Sequence, residues 1–377
     1  MTIGFDGKKA VLNLTGIGNY SRRCVNALAA LCPNDRLLLF VPDKRNQAAA
    51  DALTPKAQLQ LSPFALKKGL AYELWRNFLQ WRTIRRQGVC LFHGLSNELP
   101  FLITRSGCKT VVTIHDLIFL HHPELYKPVQ RRILRWKTRY ACRVADRIIA
   151  VSEMTKRDIV QYYGIDERKI SVVYQSYDSA LFHNRHDETA IAQVRQRYQL
   201  PACYVLCVGT IERRKNQGAL IEALQQADKG VHVVLVGKPT PYQKELQQRV
   251  DSLGLAGRVH FLNNVLNNDL PAIYQGATLF GYMSLFEGFG IPIIEALASG
   301  VPVIAATGSC LEEAGGPHSI YLAPHDISGL ASHINALLAD SQQRQLMVTE
   351  GLRYVERFSD KALGQNLHKV YQELLGA

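Results

Sequence analysis

The sequence predicts an α/β protein built from two domains, each a parallel sheet covered by helices. Three observations carry that prediction. Short continuous apolar runs alternate with stretches of helical apolar spacing along the whole chain, the pattern of strands buried on both faces between helices. The length of 377 residues is about twice that of an ordinary domain. Positive charge, finally, is confined to one half. Residues 1–190 hold 29 Lys and Arg against 16 Asp and Glu, whereas residues 191–377 hold 15 against 16. The whole excess of +12 therefore belongs to the first half, which suits two domains with different tasks.

Taken in order, TGIGNYSR (15–22) follows a first turn, and Ser21 to Leu31 has helical spacing. LLLFV (37–41), CLFH (90–93), VVTIH (111–115) and RIIAVS (147–152) read as buried parallel strands, with a helix over Glu73 to Arg86. Periodicity lapses in YQSYDSALFHNRHDE, so the domains are expected at 1–174 and 191–357, joined by a linker over 175–190. A second strand series follows: YVLCVG (204–209), HVVLVG (232–237), VHFL (259–262), TLFGYM (278–283) and VPVIAA (301–306). Helices are expected to open near Gln217 and near Pro292, a residue suited to the first helical position.

Several function classes are disfavoured at once. No apolar run reaches the length of a membrane span, and MTIGFDGKKA lacks the apolar core of a signal peptide, which predicts a cytoplasmic protein. Eight scattered cysteines without a Cys-x-x-Cys read as reduced thiols, neither disulfides nor zinc ligands. The basic half suits nucleic acid, an anionic membrane or an acidic small molecule. No nucleic-acid module is visible, so nucleic acid is the least favoured of these.

Ligands of parallel sheets gather beyond the strand C-termini, and the punctuation there is informative. LFEGFGIPIIEALASG (285–300) places Glu287 and Glu295 eight apart around a glycine turn and a helix start, where free N–H groups attract an anion. GTIERRKN (209–216) puts Arg213, Arg214 and Lys215 before another helix start. Together these two turns suit a diphosphate. In the first half, GIGN (16–19) opens a helix without the full Gly-x-Gly-x-x-Gly pattern, and His115 and Asp116 end a strand. His93, Asn97 and Glu98 in FHGLSNELP are further candidates, and His121–His122 read as loop. Strand ends of this kind in both halves predict one cleft between the domains. There is no Asp-x-Asp, so a metal clamp of that type is absent and the cationic turn must meet the diphosphate.

Two basic stretches remain. KKGLAYELWRNFLQWRTIRR (67–86) sets Leu70, Leu74, Phe78 and Trp81 on one helical face, with Trp75, Arg76, Arg82, Arg85 and Arg86 interspersed. KPVQRRILRWKTRYACR (127–143) is similar. Either such a helix packs its aromatics on the sheet while the arginines face water, or it forms an interfacial patch for anionic lipid. The first stretch is the first candidate for such a patch.

TGIGNYSR, VTIHDLIFLHHPE, IIAVSEMTKRDI, VLCVGTIERRKN, LFEGFGIPIIEALASGVPVIAA and FSDKALGQNLHKVYQELL, in this order, resemble the retaining glycosyltransferases of the GT-B fold, specifically glycosyltransferase family 4. The resemblance covers nearly the whole chain. It implies two Rossmann-like domains facing a central cleft, with the C-terminal segment 358–377 returning as a helix to the first domain. It implies that Glu295 holds the ribose of a nucleotide sugar and that Glu287 meets the sugar hydroxyls. Gly288 and the amides around Phe289 and Gly290 would line the same pocket. Arg214 and Lys215 would neutralise the diphosphate, Gly16 and Gly18 would approach phosphate and acceptor, and His115 would lie beside the transferred sugar. Asn97, Glu98 and Asp116 are the acceptor-side candidates.

The implied activity is metal-free, retaining transfer from a nucleotide diphosphate sugar to a glycan or lipid-linked glycan, with no cofactor. Mannose from a guanosine-linked donor is preferred on the IHDLIFLHHPE segment, with uridine-linked glucose or N-acetylglucosamine as alternatives. The basic first domain would meet the inner face of the membrane. Rival readings are an epimerase or phosphorylase on the same fold, and a non-catalytic basic protein binding anionic lipid or nucleic acid. The sequence departs from the family pattern in three places. Arg213 replaces a proline, Thr210 and Ile211 stand where an arginine is common, and Gln175–Ser176 replaces Asn-Gly. Arg213 is expected to compensate for the missing arginine.

Overall fold

A computed structural model describes residues 1–42, 46–62, 69–182 and 186–376. The chain divides into two units, Met1–Ser176 with Asp360–Ala377, and Tyr177–Ser359. His183, Asn184 and Arg185 of the expected linker lie outside the described residues, as do Lys67 and Lys68 and the side chain of Leu70.

The first unit holds seven parallel strands: β1 (Thr2–Asp6), β2 (Arg36–Val41), β3 (Ala57–Leu61), β4 (Leu91–Gly94), β5 (Lys109–Ile114), β6 (Arg147–Ala150) and β7 (Ile170–Val172). Their order is β3-β2-β1-β4-β5-β6-β7. In β1, Phe5 pairs with Leu39 on one side and His93 on the other, so β1 is central. Its apolar run is interrupted by Gly4 and Asp6, which hid it from pattern reading. β3 (AQLQL) escaped for the opposite reason: it is an edge strand that is only partly buried, so polar residues are tolerated. The helix expected from Ser21 opens earlier and runs Gly16–Leu31.

The helix expected over 73–86 is two helices, Gly69–Phe78 and Gln80–Arg86, broken at Leu79. Its predicted apolar face is also corrected. Trp75 and Arg76 point inward, while Leu74 and Phe78 are exposed. Asp6 at the end of β1 supplies the reason. Arg76 Nε donates to Asp6 Oδ2 at 2.8 Å, and its Nη1 lies 3.4 Å from Glu98 Oε2. Burial opposes a guanidinium charge, but Asp6 and Glu98 outweigh it and raise the Arg76 pKa. Arg76 and Trp75 therefore belong to the interior and are lost to any membrane patch.

The C-terminal helix, Asp360–Leu375, returns to this first unit. Its Leu363, Leu367, Val370 and Tyr371 join Cys24, Val25 and Leu28 of the Gly16–Leu31 helix in one core. At roughly 1.5–3 kcal/mol for each buried large side chain, that contact contributes several kcal/mol as an upper bound. Tyr371 also meets His93 Nδ1 at 2.6 Å, fastening the helix to β4.

The second unit holds six parallel strands: β8 (Tyr204–Val208), β9 (His232–Val236), β10 (Val259–Leu262), β11 (Leu279–Tyr282), β12 (Val303–Ala306) and β13 (Ile320–Leu322), in the order β10-β9-β8-β11-β12-β13. All but the three-residue edge strand β13 were visible as apolar runs. The central β8 and β11 deliver GTIERRKN and EGFG from neighbouring strand ends. All eight cysteines are free thiols. Among the described residues, no helix is long and apolar enough to cross a membrane.

Candidate active site

In the second unit the chain leaves β8 into a single 3-10 turn, Arg213–Lys215, and Asn216 in left-handed conformation passes it to the helix Gln217–Ala223. Asn216 Nδ2 donates to the carbonyls of Met283 and Pro324 at 3.1 and 2.8 Å, which fixes the turn against the loops after β11 and β13. The Leu285 N–H donates to the Arg214 carbonyl at 2.8 Å. The two sequence motifs are thus tied through their backbones before any side chain is counted.

Their side chains converge on one atom. Glu287 Oε1 accepts from Lys215 Nζ at 2.5 Å and from Ser284 Oγ at 2.7 Å, and lies 3.1 Å from Arg214 Nη1 and from Tyr282 Oη. Burial opposes ionisation of Glu287, but Lys215 and Arg214 outweigh it and hold its carboxyl down to about 2. Arg214 is likewise raised: burial lowers it, and Glu287 with Glu212 more than reverses this. Its Nη2 donates to Glu212 at 2.6 Å and its Nη1 to the Phe286 carbonyl. Tyr282 and Ser284 complete the cluster and were not singled out in the sequence. Tyr282 sits in an apolar strand run, where an inward tyrosine looks like ordinary core.

Arg213 does not join them. Its guanidinium pairs with Glu245 and lies 5.1 Å from the Tyr242 ring centroid. The expectation that it compensates for the missing arginine is therefore corrected, because Glu245 and Tyr242 supply a nearer partner.

The helix Ile291–Ala298 opens at Gly290, with Pro292 in its first turn. Gly290 has φ +115°, and an added Cβ would lie 3.0 Å from Leu311, so a side chain there is strained. Phe289 is buried with its ring 5.3 Å from Phe358, which leaves its backbone and that of Gly288 to shape the turn. Glu295 lies on the second turn, where Tyr274 Oη donates to its Oε2 at 3.0 Å. Glu295 and Glu287 thus have different surroundings, one beside a tyrosine and the other neutralised by two cations.

In the first unit, the two glycines of GIGN separate by physics. A Cβ at Gly18 would fall 1.8 Å from the Asn13 carbonyl oxygen, so packing alone demands glycine there. Gly16 has open space around it and sits at the exposed helix start. Packing gives no reason for glycine at 16.

His115 is buried, with Nε2 donating to the Leu95 carbonyl at 2.9 Å and Nδ1 accepting from Gln175 Nε2 at 3.3 Å. Burial pushes its pKa down to about 4. Both ring nitrogens are engaged, so a role in proton transfer requires one of these bonds to open. Asn97, at φ +55°, accepts from the His115 N–H at 2.7 Å and holds the strand end in place. Asp116 accepts from the Ile118 N–H at 3.1 Å. Glu98 is held by Arg76 and by Lys137 at 3.1 Å; burial opposes its charge, yet these cations bring it down to about 2. His93 is spent internally, between Tyr371 and Thr113.

The fold and the strand-end cluster define a class. Anabaena Alr3699/HepE, solved with UDP and glucose, superposes with a TM-score of 0.75 at 21% identity over 99% of this chain and all of that one. WaaG, a glycosyltransferase of lipopolysaccharide biosynthesis, does so at 0.70 and 15%, over the whole of both chains. The chain has the GT-B glycosyltransferase fold. Residues 14–181 match the model of Glycosyltransferase Family 4, and residues 195–353 that of Glycosyl transferases group 1. The chain belongs to this family of glycosyltransferases. Among its relatives, O-antigen chain mannosyltransferase B of Escherichia coli is 28% identical over 92% of this chain and 93% of its own length. O-antigen chain mannosyltransferase RfbU of Salmonella typhimurium is 26% identical over 83% and 84%.

Proposed function

We propose that this glycosyltransferase moves mannose from a guanosine diphosphate donor to a glycan or lipid-linked glycan acceptor, in the cytoplasm and with retention at the anomeric carbon. The observation that carries this reading is the convergence of Arg214, Lys215 and Glu287 at neighbouring strand ends. The mannosyltransferase relatives, matched over 93% and 84% of their own lengths, support the sugar.

Bond breaking at a glycosyl diphosphate puts negative charge on the departing phosphate and positive charge on the anomeric carbon. Arg214 and Lys215 are fixed cations in a largely buried setting, so they stabilise the first without reorganising. Before the donor arrives, Glu287 holds both in place. Glu295, farther along the helix, is read as the ribose partner. A carboxylate as acidic and as encumbered as Glu287 is a poor nucleophile, which favours direct attack by the acceptor hydroxyl on the face the phosphate leaves. The new bond joins the acceptor oxygen to the anomeric carbon, the carbon–phosphate oxygen bond breaks, and the hydroxyl proton passes to the released phosphate. The two side-chain cations supply the charge that a metal would otherwise bring. That reading makes the reaction metal-independent.

Purified protein incubated with GDP-mannose and lipid-linked acceptor, with and without chelator, tests the proposal by the anomeric configuration of the product. An α-linked mannoside at an undiminished rate in chelator is expected. An inverted product, or a reaction that stops in chelator and resumes with magnesium or manganese, refutes it. A uridine-linked donor is the second reading, favoured by the HepE structures with UDP and UDP-glucose. Transfer from UDP-glucose but not GDP-mannose selects it.

A further inference from the structure

The helix Pro128–Val144 carries six Lys and Arg and no acidic residue in its 17 positions. Thr138, Ala141 and Cys142 bury one side of it. On the opposite side, Val129, Ile133, Trp136 and Tyr140 follow one another at spacings of four, three and four, a single helical stripe. This stripe faces outward: Val129 is 71% exposed, Ile133 49% and Trp136 57%. Arg132, Arg135, Arg139 and Arg143 repeat at three, four and four, forming an exposed second stripe alongside it. Among the described residues none of these four arginines is in an ion pair.

The apolar stripe does not end with its helix. Trp136 packs against Phe101 with centroids 4.8 Å apart, and Phe101 against Phe78 at 6.2 Å. Phe78 and Leu74, exposed on the neighbouring helix, extend the ridge across a second element. Arg82, Arg85 and Arg86 follow on the next helix, all exposed. The nearby carboxylates do not cancel this charge. Glu98 is taken by Arg76 and Lys137, and Glu73 by Lys8, which leaves Glu124, exposed beside His122, near the helix start.

We propose that this face of the first unit, centred on Ile133 and Trp136, docks in the plane of an anionic lipid bilayer. A soluble protein has no reason of its own to expose valine, isoleucine and tryptophan in one helical line. A partner protein with an apolar groove would bury such a line, but would not call for an uninterrupted arginine stripe beside it. Nucleic acid would use the arginines and leave the apolar ridge wet. A bilayer uses both: the ridge enters the boundary between headgroups and acyl chains, and the arginines meet anionic headgroups. The sequence pointed first to residues 67–86, but the inward turn of Trp75 and Arg76 moves the centre to residues 128–144. The inference stands apart from the choice of donor, since none of these residues belongs to the nucleotide cluster.

Flotation with vesicles of phosphatidylcholine alone, or with one third phosphatidylglycerol, tests it on the intact chain. Binding to the anionic vesicles only, fading with salt, is expected, along with a blue shift of tryptophan emission that Trp136→Phe abolishes. Arg132→Gln/Arg135→Gln/Arg139→Gln should weaken binding by about 100-fold, each charge being worth roughly fivefold near such a surface. Ile133→Ser/Trp136→Ser should weaken it comparably while leaving nucleotide-induced thermal stabilisation unchanged, which shows that the variants fold. No binding to anionic vesicles overturns the proposal. So does binding that survives loss of Ile133 and Trp136, which would make the surface a general polyanion site, or an oligomer that dissociates in the same variant.

Discussion

Replacing Glu287 by glutamine removes the charge on which the second unit's site is assembled, and the cost follows from its surroundings. Lys215 and Arg214 are only 11% and 15% exposed, and both touch the same oxygen of Glu287. Holding that carboxyl at about 2 instead of 4.5 corresponds to about 3 kcal/mol, at roughly 1.4 kcal/mol per pKa unit. Removing one partner of a buried ion pair costs roughly 3–5 kcal/mol, in agreement. Glu287→Gln is therefore expected to destabilise the second unit by about 3 kcal/mol at pH 7. The sign of the pH dependence is fixed as well. A depressed carboxyl contributes its full stability above its ordinary pKa of 4.5 and loses it as pH falls toward 2, so the gap between wild type and variant narrows below pH 5. Urea unfolding at pH 7, 5 and 4 measures this. A nucleoside diphosphate brings the missing negative charge, so it should raise the melting temperature of Glu287→Gln more than that of wild type. Equal stability of the two proteins at pH 7, or a gap that widens in acid, would refute the reasoning.

Gly18→Ala is expected to fold poorly, since its Cβ meets the Asn13 carbonyl; Gly16→Ala should melt like wild type yet lose turnover, and full activity would remove Gly16 from the site. Glu295→Ala should weaken binding of the bare nucleotide by about 1.5–3 kcal/mol in calorimetry, the worth of a charge-assisted hydrogen bond. His93 and His115 are held down to about 3 and 4, in each case chiefly by burial. Both are neutral in the folded first unit and protonate on unfolding below about pH 6.5, so stability present above that pH should fall by about 1.4 kcal/mol per pH unit per histidine between pH 6 and 4. Unfolding curves of His93→Gln should show roughly half that slope.

The sheets were legible where burial is two-sided, because β2, β4, β5, β6, β8, β9, β11 and β12 must then be continuous apolar runs; the edge strand β10 was read from VHFL although it is only partly buried. β1 was lost because it spends Gly4 on close packing and Asp6 on Arg76, and neither requirement leaves a periodic mark. The same ion pair defeated the reading of residues 73–86: helical spacing identified the face holding Leu74 and Phe78, but not which way that face turns. In the candidate site, the charged and glycine residues were readable as motifs at strand ends. Their partners Tyr282, Ser284 and Tyr274 were not, since a tyrosine inside an apolar strand or helix carries no signal until three dimensions bring it to an acid, and Gln175 stood out only as a departure from the family pattern, not as the partner of His115. Arg213 shows the converse error, a charge in the right segment directed to the wrong neighbour.

The central claim is that Arg214 and Lys215 read the diphosphate of the donor, and calorimetry with paired nucleotides tests it most directly. From a panel of nucleoside diphosphates, the tightest binder is compared with its own monophosphate in wild type and in Lys215→Ala. Wild type should prefer the diphosphate strongly, and the substitution should erase at least about tenfold of that preference, the lower end of a charge-assisted hydrogen bond, while the monophosphate binds nearly as before. A diphosphate-to-monophosphate ratio unchanged by the substitution would contradict the account.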